Sequence, residues 1–158
     1  MLRYSVAGIL LACLIPLAAS AQPSPPAGNA QLPEAAWKKL FMDGVYASTA
    51  KDYAKAEDSL VRATREAERF GLDNIRVGST QNTLGLVYEA QSRFKDAENA
   101  FHRALGIFEK SYGEESLDVA NVNYNIARAM SEEGHQVDSL AYARKAQQTY
   151  EGQLGAPP

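Results

Sequence analysis

Residues 93–113 read RFKDAENAFHRALGIFEKSYG. Phe94, Ala97, Phe101, Ala104 and Phe108 recur every three or four residues, so they share one face of a helix. An amphipathic helix needs only that such a face be apolar. Here the face also alternates large with small, which implies a neighbour that comes close at the small positions and is held off at the large ones.

Similar wording occurs twice more. LFMDGVYASTAKDYAKAEDSLVRA (40–63), QNTLGLVYEAQSRFKDAENAFHRA (81–104) and NYNIARAMSEEGHQVDSLAYARKA (123–146) align without gaps. Gly44, Gly85 and Ala127 are the small residues of the first helix in each line, and Ala56, Ala97 and Ser139 those early in the second. Leu60, Phe101 and Ala143 follow four residues later, then Ala63, Ala104 and Ala146. Successive copies are 41 and then 42 residues apart. One residue missing from the end of the first unit accounts for the difference: Ala63 reaches Phe70-Gly71 one position sooner than Ala104 reaches Tyr112-Gly113 or Ala146 reaches Leu154-Gly155. No β-type alternation interrupts the pattern after Glu34, which predicts an all-α chain.

Leu84-Gly85-x-x-Tyr88 followed by Phe94-x-x-Ala97-x-x-x-Phe101-x-x-Ala104 resembles the tetratricopeptide repeat signature. The period is longer than the common 34-residue form and is similar to the long-helix variety of kinesin light chains. The resemblance covers Glu34 to about Gly155. It thins in the third unit, where Gln136, Ser139 and Ala143 replace Tyr53, Ala56 and Leu60. It implies an α-α superhelix (a solenoid) of three helix-turn-helix repeats and six helices, over about 34–71, 72–113 and 114–155. HEAT-type repeats have similar periods but lack the large-small signature. Two antiparallel helices approach closely only where side chains are small, so Gly44, Gly85 and Ala127 are expected to face Ala56, Ala97 and Ser139. Tyr88, Phe101, Ala104 and Ala146 complete the expected packing set. Trp37 lies three residues ahead of the signature's register and is expected to pack between helices. Asp73 and Ser116 or Asp118 are candidate N-caps, Gly71, Gly113 and Gly155 close the second helices, and Lys51-Asp52, Ser92-Arg93 and Gly134-His135 mark the turns within pairs.

Residues 1–21 have the pattern of an export signal: Arg3, an apolar run from Val6 to Leu17, and Ala19-Ser20-Ala21 as a cleavage site. The expected location is a bacterial periplasm, with secretion or a retained membrane anchor as alternatives. The run is short for a bilayer span and contains Pro16. Leu10-Leu11-Ala12-Cys13 loosely resembles a lipoprotein box, but Leu14-Ile15 continue the apolar stretch beyond it. Cys13 is the only cysteine, so the mature chain has no disulfide to form. Residues 22–33, with four prolines, read as an extended spacer, and 156–158 as a tail. Pro33 suits the first turn of the following helix. A formal charge of −3 over 158 residues, without a basic cluster, argues against a nucleic-acid partner.

Few residues suggest chemistry. Of the two histidines, His102 follows Glu98 by one helical turn, but no third donor has matching spacing, so no metal site is expected. His135 reads as a polar turn residue beside Glu132 and Glu133. There is no glycine-rich phosphate loop after a strand and no nucleophile elbow. The expectation is therefore a non-catalytic protein with no cofactor and no small-molecule substrate.

What remains is surface. In the resembled family the first helix of each pair lines the inner face of the superhelix. That lining falls on Lys38, Phe41, Met42, Val45 and Ser48, then Ser79, Asn82, Thr83, Leu86 and Glu89, then Asn121, Tyr124, Asn125, Arg128 and Ser131. Lys38, Asn82, Glu89, Asn121, Tyr124, Asn125 and Arg128 are the candidates for holding an extended peptide or protein segment. Kinesin-light-chain-like repeats use an asparagine at the place of Asn125, where Thr83 stands in the second unit. The last helix is polar enough to cap the array itself. Ala141, Tyr142, Ala146 and Tyr150 offer the alternative, a homodimer or partner contact, as in an assembly subunit of an envelope complex.

Overall fold

The computed structural model describes residues 31–154, and the expected export signal and most of the expected spacer lie outside them. Six helices follow one another: α1 (Gln31–Thr49), α2 (Tyr53–Glu68), α3 (Ile75–Ala90), α4 (Phe94–Tyr112), α5 (Leu117–Glu132) and α6 (Gln136–Leu154). There is no strand among the described residues. α1 starts at Gln31, three residues before the expected boundary, which leaves Pro33 buried in its first turn. Each helix packs on the next, giving three antiparallel pairs stacked side by side.

The stack curves, and the backbone shows which way. Cα atoms of α1 and α3, and of α3 and α5, come within 8 Å of each other, whereas among the described residues those of α2 and α4, or α4 and α6, do not. First helices therefore crowd together on the inside while second helices fan outward. The inner face belongs to α1, α3 and α5.

The turns inside the three pairs are built alike. Lys51, Ser92 and Gly134 occupy the left-handed region, with φ of 60°, 58° and 89°. The amide of the next residue reaches back to close the helix: Asp52 N–H to Ala47 O, Arg93 N–H to Tyr88 O and His135 N–H to Met130 O, each 2.9 Å. Inside that loop Lys51, Ser92 and Gly134 donate to Ser48, Glu89 and Ser131 carbonyls. These are Schellman closures, which satisfy carbonyls that a helix end otherwise leaves unpaired. The starts of the later units are capped by Asn74, which accepts from Arg76 N–H, and by Ser116, which accepts from Val119 N–H. Asn74 thus takes the role expected of Asp73, whose carboxylate instead pairs with Lys110. Gly113 ends α4 as expected, but α2 stops at Glu68 and Gly71, at φ 117°, belongs to the loop beyond. Gly155 lies outside the described residues.

One core cluster centres on Phe101, Val77, Val119, Val122 and Ile126, and a smaller one on Leu60, Ala56, Leu84 and Val87, with Tyr88 packed against both. The contact made by the small residues is broader than the expected one. A Cβ added to Gly85 would press into the Phe101 ring, 2.6 Å from Cδ1, and one added to Gly44 would lie 2.6 Å from Leu60 Cγ. Each glycine makes room for the large residue four positions after Ala56 or Ala97, and at Gly44 the Ala56 carbonyl oxygen also comes within 3.3 Å of the built Cβ, as expected. Helix crossing offsets the partners by one turn. Gly78 does the same for Phe108, a position without a counterpart in the expected set. Trp37 packs against the larger cluster, stacks on Phe41 at 5.4 Å, and its indole N–H donates to Thr80 Oγ1 at 3.0 Å, tying α1 to α3.

Candidate functional site

The inner face is crossed by two rungs joining α3 to α5. Asn125 Nδ2 donates to Asn82 Oδ1 at 3.2 Å. One turn further on, the Arg128 guanidinium makes a two-pronged ion pair with the Glu89 carboxylate, through Nε and Nη2. Glu89's hydrogen bond raises the Arg128 pKa further above its already high value, so this cation is permanent. The guanidinium also lies 5.8 Å from the centre of the Tyr124 ring, within reach of its π face.

Four of the seven candidate residues therefore meet as two pairs. Mutual pairing does not exhaust them. An amide carries two donors and two acceptor lone pairs, and the rung uses one N–H of Asn125 and the carbonyl of Asn82. Among the described residues, Asn82 Nδ2 and Asn125 Oδ1 have no side-chain hydrogen bond, and each is held in a fixed direction by the bond at its other end. An extended backbone presents the complementary N–H and C=O. Tyr124 and Leu86 on the same helices are large apolar side chains with substantial exposure, 51% and 38%. Lys38 is exposed on α1, where it adds a positive end. Asn121 departs from the expected set: it accepts from the Tyr150 hydroxyl of α6 at 2.7 Å and belongs to the α5–α6 seam.

The C-terminal helix also differs from expectation. Ala146 is buried, Tyr142 packs on the core and meets His102 edge-on at 5.5 Å, and Tyr150 is bonded to Asn121, so three of the four residues suggested for a dimer contact are used inside the unit. The apolar side chains that α6 does present are Val137 and Leu140.

Away from the inner face, the fold supplies what linear spacing lacked around Glu98. Glu133 and His135 come up beside it, and ligand atoms of the three lie within 4.8 Å of one another. No helix of the described residues is long and apolar enough to cross a membrane.

Comparison with known proteins agrees with this architecture. The tetratricopeptide repeat family profile matches residues 44–110 and, overlapping, 76–152. Protein KINESIN LIGHT CHAIN-RELATED 1 of Arabidopsis thaliana is 29% identical over 121 residues, 77% of this chain but only 19% of that protein. The crystal structure of BtubC (BKLC) from P. vanneervenii superposes with a TM-score of 0.71 at 19% identity, over 77% of this chain and 49% of the other. The chain thus spans about a fifth of the relative and half of the solved structure. The stacked pairs, the small-for-large contacts and the profile match over most of the chain lead to one conclusion: this chain belongs to the tetratricopeptide repeat family, with the long units of its kinesin-light-chain-like members.

Proposed function

We propose that the protein is an exported, non-catalytic scaffold that holds an extended peptide or protein segment along α1, α3 and α5. Tetratricopeptide folds serve in general as protein-interaction scaffolds. The observation that carries the reading is the pair of rungs, Asn82–Asn125 and Glu89–Arg128, set beside exposed Tyr124. Preorganised amides lower the ordering cost of binding, and an exposed aromatic flanked by a paired arginine has the composition of an interface anchor. The export signal read in residues 1–21 supports a periplasmic setting.

The test compares wild type with Asn125→Ala/Arg128→Ala. Both are used to capture partners from envelope extract, and affinities for the captured segments are then measured by fluorescence anisotropy. The double variant should remain folded and bind at least about tenfold more weakly, since each lost polar contact in a binding groove costs on the order of 1–3 kcal/mol. Equal capture and equal affinity would refute the inner-face reading. Export is tested separately by fusing residues 1–33 to a reporter that is active only outside the cytoplasm. The exposed Val137 and Leu140 favour a second reading, an assembly subunit working through the α6 end. Light scattering at high concentration, on wild type and Leu140→Ser, distinguishes it.

A further inference from the structure

The two junctions between units can be compared residue by residue. At the first, Glu57 of α2 receives Arg93 Nη1 at 2.7 Å and Gln91 Nε2 at 3.5 Å. One carboxylate is surrounded by donors, and a guanidinium supplies its counter-charge. The repeat register of 41 and 42 residues carries Glu57 to Glu98, Gln91 to Glu133 and Arg93 to His135. At the second junction the carboxylate is kept, the amide has become a second carboxylate, and the permanent cation has become an imidazole. A donor-rich cluster, whose Arg93 guanidinium also pairs with Asp96, is replaced by an acceptor-rich one with no guanidinium.

The geometry shows the imbalance. The Glu98 side chain is nine-tenths buried, at 9% exposure. Glu133 Oε2 is shut off from solvent without a hydrogen-bond partner, and it stands 3.6 Å from His135 Nδ1, too far for a hydrogen bond. His102, the chain's other histidine, places Nε2 3.6 Å from Glu98 Oε1. Carboxylates desolvated in this way are costly unless a cation joins them. Lys95 answers only part of the need: its Nζ lies 3.0 Å from Glu98 Oε2, but its side chain is 64% exposed on a flexible stem, free to swing away. Ligands held about 2.0–2.1 Å from a tetrahedral zinc ion lie about 3.3 Å from one another; here Glu133 and His135 stand 3.6 Å apart and all three ligand atoms lie within 4.8 Å, so side-chain adjustments would bring them to that spacing. A mixed set of carboxylates and imidazole also suits zinc better than calcium or magnesium, which take oxygen ligands alone.

We propose that Glu98, Glu133 and His135 form a site for a divalent transition-metal cation of zinc type, which takes the place that the Arg93 guanidinium fills one junction earlier. The exposed side of His135 leaves a path of entry and a coordination position for water. Bound there, the ion clamps the α5–α6 turn to α4 and so fixes the third unit on the second.

The test uses the purified chain stripped with chelator and titrated with zinc chloride by calorimetry. Thermal unfolding is followed with and without zinc, as are the ring-proton resonances of the two histidines. One ion per chain should bind, the midpoint should rise by several degrees, and the His135 resonances should shift. Glu98→Gln and His135→Ala should abolish all three effects. Because those variants can weaken the fold, Glu133→Gln/His135→Arg rebuilds the first junction's own residues: it should fold without metal and be indifferent to zinc. Lys95→Met should bind at least as tightly as wild type, its competing ammonium being gone. Zinc binding by wild type no tighter than by the rebuilt double variant, or undiminished binding by Glu98→Gln, would overturn the proposal.

Discussion

At Gly85 the missing side chain is an occupied space, because the Phe101 ring stands where a Cβ would be. Alanine is ordinarily about 1 kcal/mol better than glycine inside a helix. At Gly85 the overlap should outweigh that gain, and Gly85→Ala should destabilise by about 1–3 kcal/mol in urea unfolding. Gly106 on α4 has nothing within 4 Å of a built Cβ, so Gly106→Ala should instead stabilise by about 0.5–1 kcal/mol. Phe101→Ala alone should cost about 3–5 kcal/mol. The double variant Gly85→Ala/Phe101→Ala recreates the Ala127 and Ala143 of the third unit. Its cost should fall short of the sum by about 1–2 kcal/mol, since residues in contact couple; strict additivity would mean that the two do not share one space. The size alternation was legible in the sequence because it is periodic. Which large residue enters which gap was not, because that depends on the offset between crossing helices. The same limit applies to the rungs: Asn82 and Asn125 could be assigned to one face, but their bond requires the curvature that brings α3 against α5.

Among the elements, the three turns are the clearest case of one design realised with different residues. Each needs a left-handed residue, and only the third supplies glycine, at Gly134. An L side chain in that conformation costs about 1 kcal/mol or more. Ser92→Gly and Lys51→Gly should therefore each raise stability by about 0.5–1 kcal/mol, and Gly134→Ala should lower it by about 1 kcal/mol, all measurable as shifts in the denaturant midpoint. Unchanged midpoints would mean the turns are set by packing alone. The positions of these turns were legible from the alignment, since Lys51-Asp52, Ser92-Arg93 and Gly134-His135 recur in register. The start of α3 was less so. Asp73 and Asn74 are both good caps side by side; the helix takes Asn74, while Lys110, distant in sequence, engages Asp73. The cluster of Glu98, Glu133 and His135 was invisible for the same reason: Glu98 and His135 are 37 residues apart and meet only once the second pair stacks on the third.

Across the whole molecule the repeats are not equally well filled. The first two pairs seat Leu60 and Phe101 against glycine, whereas the third has Ala143 beside a cleft of about 310 Å³ bordered by Tyr124, Ala127, Arg128, Ser139 and Leu140. In a stacked array stability is roughly a sum of unit and junction terms, so the thinly filled third unit is expected to open first. Amide hydrogen exchange should rank the helices accordingly, with the α6 amides exchanging well before those of α4, whose Phe101 and Phe108 lie in the main core. Uniform protection across all six helices would show a single cooperative block instead. The cleft has a mechanical consequence. A pull on the C-terminal end should peel away one hairpin while the rest keeps its shape, so that Arg128 leaves Glu89 and the groove loses a wall without the protein denaturing. For a segment held on the inner face as proposed above, tension on α6 would act as a release, in the manner of a latch whose weakest hinge is the third unit.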